Sequence, residues 1–257
     1  MTKNKTALIT GATSGFGKAT AITLAANGYN VIITGRRKNL LHHLENEIRG
    51  NSGSGVLSLN FDIRQPAEVK DAIENLPESW KDIDVLVNNA GLAVGLNPLQ
   101  SGVVDDWERM IDTNIKGLLY ITRLVSPIMV AKCSGHIVNI GSVAGREVYP
   151  NGNVYCATKF AVDAISRGMR IDMVKYGIRV TVIHPGMAET EFSLVRFKGD
   201  ATTAKKVYDG LTPLFAEDIA DAVLYAITRP LHVNINELVI MPTAQASATV
   251  IQRKQTS

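Results

Sequence analysis

The stretch Ala7-Leu8-Ile9-Thr10-Gly11-Ala12-Thr13-Ser14-Gly15-Phe16-Gly17 joins a short apolar run to a glycine-rich turn and then to a helical pattern. The three glycines allow a tight turn and let a ligand approach the backbone closely. The helix that follows presents free amide groups and a partial positive charge, which suit a phosphate group. A glycine turn alone can also be purely structural. With a strand before it and a helix after it, the stretch predicts a phosphate-binding turn in an α/β fold.

Short apolar runs rich in β-branched residues alternate with longer helical patterns along the rest of the chain. Most runs are apolar on both faces, which is typical of parallel strands covered by helices. The predicted strands are 7–10, 30–34, 56–60, 83–88, 136–141, 179–184 and 237–241. The predicted helices are 17–27, 38–49, 67–75, 104–131, 153–176 and 217–228. The alternation predicts an α/β fold with a single-domain, doubly wound (Rossmann-type) parallel sheet flanked by helices.

Bulk composition limits the classes to which the protein can belong. The chain has 257 residues, 46% of them hydrophobic, without a linker or repeat, so one domain over 1–257 is expected. A net charge of +3 with scattered basic residues argues against a nucleic-acid partner. No apolar run reaches the ~18 residues of a membrane span, and the first strand starts too early for a signal peptide. Only Cys133 and Cys156 occur, so we expect a cytoplasmic protein.

A second informative stretch is Tyr155-Cys156-Ala157-Thr158-Lys159, which lies within a helical pattern. Residues four apart share a helix face, so the phenol and the ammonium group can project into the same space. A nearby cation favours the phenolate and lowers the tyrosine pKa from ~10 by roughly 1–3 units. Tyr155 and Lys159 are therefore candidates for a proton shuttle, although the pair alone also occurs in ordinary helices. Ser142 lies thirteen residues upstream, at the end of an apolar run.

The glycine turn, the segment Asn88-Asn89-Ala90-Gly91, Ser142 and the tyrosine–lysine pair occur in a fixed order. Together they resemble the short-chain dehydrogenase/reductase family over nearly the whole chain. The resemblance implies an oxidoreductase that interconverts a carbonyl compound and its alcohol. In such an enzyme Tyr155 would exchange a proton with the substrate oxygen, and Ser142 would orient that oxygen. Lys159 would bind the nicotinamide ribose and lower the tyrosine pKa, and Asn114 would hold a water molecule that connects Lys159 to solvent.

The end of the second predicted strand indicates which nicotinamide cofactor binds. NAD sites place an acidic residue here for the ribose 2′-OH, whereas this chain has Gly35-Arg36-Arg37. Arginines suit a 2′-phosphate, so NADP(H) is expected; the alternative is a solvated basic turn. By resemblance, Asp62 and Ile63 contact the adenine, although Asp62 also suits a helix N-terminus. The expected cofactor-binding residues are Gly11, Thr13, Ser14, Gly15, Phe16, Gly17, Arg36, Arg37, Asp62, Ile63, Asn89, Ala90, Gly91, Tyr155, Lys159, Pro185 and Gly186.

Segments 190–200 and 232–236 look like the NADP-dependent 3-hydroxy acid dehydrogenases, a subgroup that also reduces malonic semialdehyde and acts on serine and L-allo-threonine. Such substrates carry an anionic group, for which Arg196 is the leading partner because a guanidinium can bind a carboxylate bidentately. Tyr149 and Gln245 would add neutral hydrogen bonds. The expected substrate-binding residues are Ser142, Tyr149, Tyr155, Arg196 and Gln245. Residues 187–212 are polar in patches and weakly periodic, and we expect them to form a substrate lid.

Several alternatives remain open from sequence. Segment 184–190 is one residue shorter than is usual in the subgroup, and Arg146-Glu147-Val148-Tyr149 replaces a more neutral segment. A sulfoacetaldehyde reductase that forms isethionate is therefore a rival. A serine hydrolase is disfavoured, because Ser142 lacks a G-x-S-x-G motif. A non-catalytic NADP(H)-binding sensor would be expected to lack a catalytic residue, and none is missing.

The same resemblance implies a homotetramer. Predicted helices 104–131 and 153–176 would pack at one interface, and the C-terminal strand and tail would pack at another. We expect no metal ion, no membrane partner, and a small anionic aldehyde or hydroxy acid as substrate.

Overall fold

The computed structural model describes residues 4–254, so both ends of the predicted domain 1–257 extend beyond the described residues. The strands are β1 (Thr6–Ile9), β2 (Asn30–Gly35), β3 (Val56–Asn60), β4 (Ile83–Asn88), β5 (Gly135–Ile140), β6 (Ile178–Pro185) and β7 (Glu237–Ile240). They form one sheet in the order β3-β2-β1-β4-β5-β6-β7, and every neighbouring pair is parallel. The order reverses direction between β1 and β4, which is where doubly wound sheets bind ligands.

Helices cover both faces of this sheet. They are α1 (Gly15–Ala26), α2 (Lys38–Asn51), α3 (Pro66–Glu74), α4 (Val104–Ile111), α5 (Leu118–Ala131), α6 (Asn153–Met173), α7 (Glu191–Arg196), α8 (Ala201–Lys206) and α9 (Ala216–Ile227). Ala7 and Ile9 of β1 pack with α1, α2 and α9 on one face, whereas Leu8 packs with α3, α5 and α6 on the other. Burial on both faces explains why the strands lack a polar alternation.

The predicted fold is confirmed, and each observed strand bound lies within one residue of the prediction. The predicted helix 104–131 is helical throughout, but it is not uniform, because a π-helical segment, Asp112–Gly117, joins α4 to α5. Within this wider turn the Asn114 side chain hydrogen-bonds both backbone groups of Leu92. A π turn of this kind is frequent at functional sites, and an apolar pattern does not reveal it.

Residues 187–212, predicted as a loop, contain two short helices, α7 and α8. The polar residues of this segment do not prevent helix formation, because two of them cap the N-termini of these helices. The Thr190 hydroxyl accepts a hydrogen bond from the Phe192 amide, and the Asp200 carboxylate accepts one from the Thr203 amide. In the part of the chain that the structure describes, no helix combines the length and apolar character needed to cross a bilayer.

Candidate active site

A cleft of about 700 Å³ opens at the carboxyl ends of the central strands. All the site residues predicted from sequence line it, except Gly17 and Asn114. Residues from the glycine turn, β2, the loop after β4, β5, α6 and the 187–212 segment contribute to its walls. The parallel sheet therefore brings together residues that are far apart in sequence.

The glycine turn has the geometry that a pyrophosphate requires. Gly11 and Gly15 adopt φ angles of +66° and +52°, which disfavour other residues. A Cβ atom on Gly17 would lie 2.4 Å from Asn89 Nδ2, so only glycine fits where α1 crosses β4. Asn89 Nδ2 in turn donates to the carbonyl oxygens of Thr10 and Gly11, at 2.8 and 3.1 Å. No side chain caps the N-terminus of α1, so its first amides remain open to an anion.

The two arginines after β2 have different surroundings. Arg36 has a side chain that is 55% exposed, and its nearest carboxylate, Asp62, lies 3.8 Å away. Arg37 is engaged by the protein itself. Its Nη2 donates to Thr13 Oγ1 and Ser14 Oγ at 2.9 and 2.8 Å, and its Nη1 donates to Glu191 Oε2 at 2.9 Å. Arg36 is thus the available cation, whereas Arg37 joins the glycine turn to α7.

Asp62 lines the cleft at the end of β3, but its carboxylate is bound within its own turn. It accepts hydrogen bonds from the Arg64 backbone amide, Nε and Nη2. Partial burial raises the pKa of Asp62, but the hydrogen bonds from Arg64 outweigh it and the net pKa is lowered. Asp62 is therefore ionised and already paired with Arg64. Its contact with the adenine stays a prediction.

Helix α6 carries Tyr155 and Lys159 into the cleft, opposite the end of β5. Lys159 Nζ donates to the Ile140 carbonyl oxygen at 2.9 Å and lies 5.9 Å from the centroid of the Tyr155 ring. Ser142 begins a short 3₁₀ turn, and its hydroxyl accepts a hydrogen bond from the Ala144 amide at 3.1 Å. The Ser142 side chain is close enough to the Tyr155 phenol to oppose the rise in its pKa. Three of the four predicted catalytic residues therefore meet at one point.

Burial dominates the electrostatics of this group. It raises the pKa of Tyr155 well above the ordinary value, with Tyr149 adding to the rise and the Ser142 side chain opposing it. Burial also lowers the pKa of Lys159 to about 8. The net pKa of Tyr155 in the protein chain by itself is therefore raised rather than lowered, because desolvation of the phenolate dominates; the lowering effect of Lys159 stays a prediction.

Asn114 lies behind the cleft rather than in its wall. Its Nδ2 donates to the Leu92 carbonyl oxygen and to Thr158 Oγ1 at 2.9 and 3.0 Å, and its Oδ1 accepts from the Leu92 amide at 2.8 Å. A Cβ atom on Gly91 would lie 3.3 Å from Asn114 Oδ1 and 3.6 Å from Lys159 Nζ. Asn114 thus holds the Leu92 segment in place beside Lys159, and the bridging water stays a prediction.

Arg196, the last residue of α7, enters the opposite side of the cleft. Its guanidinium carbon lies 5.3 Å from the ring centroid of Tyr149 and 5.7 Å from that of Tyr155. Nε and Nη2 are buried and have no hydrogen-bond partner among residues 4–254. A buried guanidinium edge without an acceptor is costly, and the same side chain lines the cleft.

Two other residues considered for substrate binding, Gln245 and Arg146, have partners within the protein. Gln245 Oε1 accepts a hydrogen bond from the Met187 amide at 2.7 Å, and its Nε2 donates to the Ser247 carbonyl oxygen. Gln245 therefore fixes the start of the 187–212 segment, although it also lines the cleft. Arg146, the alternative anion partner, is not among the cleft-lining residues and pairs with Glu237 instead.

Comparison with known proteins agrees with this geometry. Residues 5–200 match the short chain dehydrogenase family. The chain belongs to the short-chain dehydrogenase/reductase family. It is 50% identical over 242 residues to the NADP-dependent 3-hydroxy acid dehydrogenase YdfG of Salmonella typhi, an alignment that covers 94% of this chain and 96% of that protein. It is 46% identical over 248 residues to sulfoacetaldehyde reductase 2 of Chromohalobacter salexigens, covering 96% and 98% of the two chains.

Solved structures agree with the sequence relatives. The closed form of serine dehydrogenase complexed with NADP+ superimposes with a TM-score of 0.92 at 45% identity, over 97% of this chain and 100% of that one. This short-chain dehydrogenase/reductase is thus an NADP-dependent oxidoreductase that acts on CH–OH groups. The expected cofactor is confirmed, and the open amides of α1 together with the exposed Arg36 fit it.

We expect Arg36→Ala to weaken NADPH binding much more than NADH binding, because only NADPH carries the 2′-phosphate. Loss of a charge-assisted hydrogen bond costs about 1.5–3 kcal/mol, or roughly 10- to 150-fold in Kd. Titration of both cofactors by fluorescence measures the difference. Arg37→Ala is the matched control: it breaks the contacts to Thr13, Ser14 and Glu191, so both cofactors should weaken. Equal losses in Arg36→Ala would contradict the assignment.

Sequence reasoning missed several residues that this dehydrogenase places in the cleft. Phe192 packs its ring 5.6 Å from that of Tyr155, and Glu191 binds Arg37. The Tyr208 hydroxyl donates to the Ala188 carbonyl oxygen and hydrogen-bonds Ser193. A signal for α7 was present, since Thr190 before Glu191 is a typical helix start. No comparable signal marks Tyr208, whose role depends on how the segment folds back.

Proposed function

We propose that this enzyme moves hydride between NADP(H) and a small substrate with an anionic tail, as a 3-hydroxy acid dehydrogenase or malonic semialdehyde reductase. The observation that carries the proposal is Arg196, whose Nε and Nη2 have no acceptor in the described chain. This pair of parallel N–H groups matches the two oxygens of a carboxylate. The 50% identical relative named as a 3-hydroxy acid dehydrogenase supports the same substrate class.

The position of Arg196 relative to Tyr155 suits a short substrate. Its guanidinium carbon lies 5.7 Å from the Tyr155 ring centroid, so a carbonyl at the phenol and an anionic group at the arginine are close together. The Tyr149 ring also packs against the guanidinium, with its centroid 5.3 Å from the guanidinium carbon. The geometry therefore favours an acid with only a few carbon atoms.

The chain's own residues supply binding and proton transfer. NADPH supplies the hydride when it is bound. Tyr155 donates its phenolic proton to the carbonyl oxygen during reduction and accepts it back during oxidation. Ser142, which lies in the same cleft as Tyr155, orients the same oxygen. Lys159, anchored on the Ile140 carbonyl, places a positive charge behind the tyrosine.

A sulfoacetaldehyde reductase is the second candidate. A sulfonate also presents oxygens to the free edge of Arg196, and a relative with that name is 46% identical. The sensor hypothesis has no support, because the chain is an oxidoreductase in which Ser142, Tyr155 and Lys159 line one cleft.

A substrate panel tests the proposal. Loss of NADPH absorbance is measured with malonic semialdehyde, sulfoacetaldehyde, succinic semialdehyde and a neutral aldehyde of equal length. Oxidation of 3-hydroxypropionate, serine and L-allo-threonine is measured alongside. We expect kcat/KM for the best short anionic substrate to exceed that for the neutral aldehyde by at least ~10-fold, since one charge-assisted pair contributes that much. Equal values for charged and neutral substrates would contradict an anionic specificity.

We further propose that the enzyme is a cytoplasmic homotetramer. Exposed apolar side chains on α5 and α6, and on β7 and the residues after it, support two interfaces. The apolar residues are Leu119, Phe160, Ile171, Val239 and Val250. Sedimentation velocity is the measurement that distinguishes a tetramer from a monomer.

A further inference from the structure

His184 lies on β6, fully buried behind Ser142. Its Nδ1 is 3.1 Å from the Ser142 carbonyl oxygen. A carbonyl oxygen can only accept a hydrogen bond, so Nδ1 carries the proton and donates it. The ring also packs on Gly141, where a Cβ atom would lie 2.8 Å from the same nitrogen. The backbone that carries Ser142 therefore rests directly on this imidazole.

The other side of the imidazole faces α6. His184 Nε2 lies 3.5 Å from Asp163 Oδ1, and neither atom has a hydrogen-bond partner within residues 4–254. Burial lowers the pKa of His184, which favours a neutral ring whose proton is on Nδ1 and whose Nε2 packs against the carboxylate. Asp163 follows Lys159 by four residues and Tyr155 by eight, so all three share one face of the helix. One ring thus links the backbone of Ser142 to the helix of Tyr155.

Charged residues behind the pair fix its position. Arg167 Nε contacts Asp163 Oδ2 at 2.9 Å, and Arg167 Nη2 contacts Glu237 on β7 at 3.1 Å. Asp163, His184 and Glu237 are close enough together to hold a metal ion. However, Glu237 also pairs with Arg146 and lies 3.7 Å from Arg170, and three guanidinium groups oppose a cation there. The cluster is therefore better suited to anchoring the imidazole than to binding a metal.

We propose that His184 is a positioning residue which, packed between the Ser142 backbone and Asp163 of α6, keeps the Ser142 hydroxyl directed toward Tyr155. The inference rests on the proposed catalytic role of Ser142. Ser142 follows β5 in an extended conformation, with φ of −173°, so its hydroxyl position depends on the peptide that His184 holds. His184 touches neither the cleft nor the reacting atoms, and it acts through Ser142.

Two substitutions separate the functions of the two ring nitrogens. In His184→Asn, the amide nitrogen takes the place of Nδ1 and can still donate to the Ser142 carbonyl. In His184→Gln, the amide reaches the place of Nε2, so the contact toward Asp163 remains and the donor to Ser142 is lost. We expect His184→Gln to lower kcat about 10- to 100-fold, because misplacing a catalytic group by about 1 Å has effects of that size. His184→Asn should recover most of the loss, with KM for NADPH unchanged in both.

Ser142→Ala and the double variant Ser142→Ala/His184→Gln complete a double-mutant cycle with His184→Gln. If His184 acts through the serine, His184→Gln should have little further effect once the hydroxyl is gone. His136→Gln is a control, since this second buried histidine contacts Thr181 and does not line the cleft. It should lower the melting temperature without a comparable loss of kcat.

The outcomes distinguish failure of the positioning role of His184 from failure of the catalytic role of Ser142. Equal kcat in His184→Asn and His184→Gln, whether both are high or both low, overturns the positioning role. Additive losses in the double variant overturn it as well. Near-normal kcat in Ser142→Ala instead overturns the proposed role of the serine, and the inference falls with it.

Discussion

Tyr155→Phe is expected to lower kcat at least ~100-fold in both directions, because the variant has no transferable proton at the position of the substrate oxygen. The ring itself remains, so its packing against Phe192, 5.6 Å away, and its stacking with Arg196 are retained. NADPH should therefore bind with nearly unchanged Kd. Stopped-flow measurement of NADPH oxidation gives the rate, and cofactor fluorescence gives the Kd.

Two controls make the result specific. An unchanged melting temperature would show that loss of the hydroxyl does not unfold the cleft. Tyr176→Phe, at a tyrosine that is not among the cleft-lining residues, should leave kcat unchanged. Near-normal turnover in Tyr155→Phe would show that another group transfers the proton.

The same phenol determines the pH dependence. Burial raises the pKa of Tyr155, so the phenol is protonated at neutral pH and ready to donate during carbonyl reduction. Alcohol oxidation needs the phenolate, whose population increases as pH rises toward the tyrosine pKa. Oxidation should therefore be faster at alkaline pH than at pH ~7, whereas reduction should not share this rise. Profiles of kcat/KM against pH, measured for oxidation and for reduction, check the direction of this pH dependence. An oxidation optimum below neutral pH would contradict it.

Arg196→Ala should reduce kcat/KM for the anionic aldehyde far more than for a neutral aldehyde of equal length. The neutral substrate does not use the guanidinium, whereas the anion loses a partly desolvated, charge-assisted pair. Because Nε and Nη2 are buried, we expect a differential of about 2–5 kcal/mol rather than the ~1 kcal/mol or less of an exposed pair. Steady-state kinetics with both substrates measure it.

Two further arginine variants make the Arg196→Ala test more specific. Arg196→Lys should recover only part of the loss, since an ammonium group cannot reproduce the two parallel donors. Arg146→Ala is the matched control, because this arginine pairs with Glu237 and is not part of the cleft lining. It should affect charged and neutral substrates alike. If Arg196→Ala also affects both alike, Arg196 is a structural residue of the 187–212 segment.

The sequence predicted those parts of the site that follow directly after strands. The glycine turn follows β1, Arg36 follows β2 and Ser142 follows β5, and a parallel sheet brings such positions to one edge. It also placed Tyr155 and Lys159 correctly on one helix face, because helical periodicity determines which side chains are neighbours.

Features that depend on tertiary contacts could not be predicted in this way. The apolar pattern over 104–131 gave no sign of the π turn, which accompanies the contact between Asn114 and Leu92. The tyrosine pKa was expected to fall because spacing reveals the neighbouring cation but not the degree of burial. Arg37 was grouped with Arg36, since sequence does not show that Glu191 and Thr13 occupy its donors.

The unpartnered edge of Arg196 has a consequence for the evolution of this enzyme. A buried guanidinium without acceptors destabilises the empty protein, so a Met or Leu at this position would give a more robust fold. Selection for stability alone would therefore remove the arginine. Under the proposed function, an anionic ligand rather than the polypeptide would complete the electrostatics of the cleft, and the ligand-free enzyme would be less stable than a variant without the arginine.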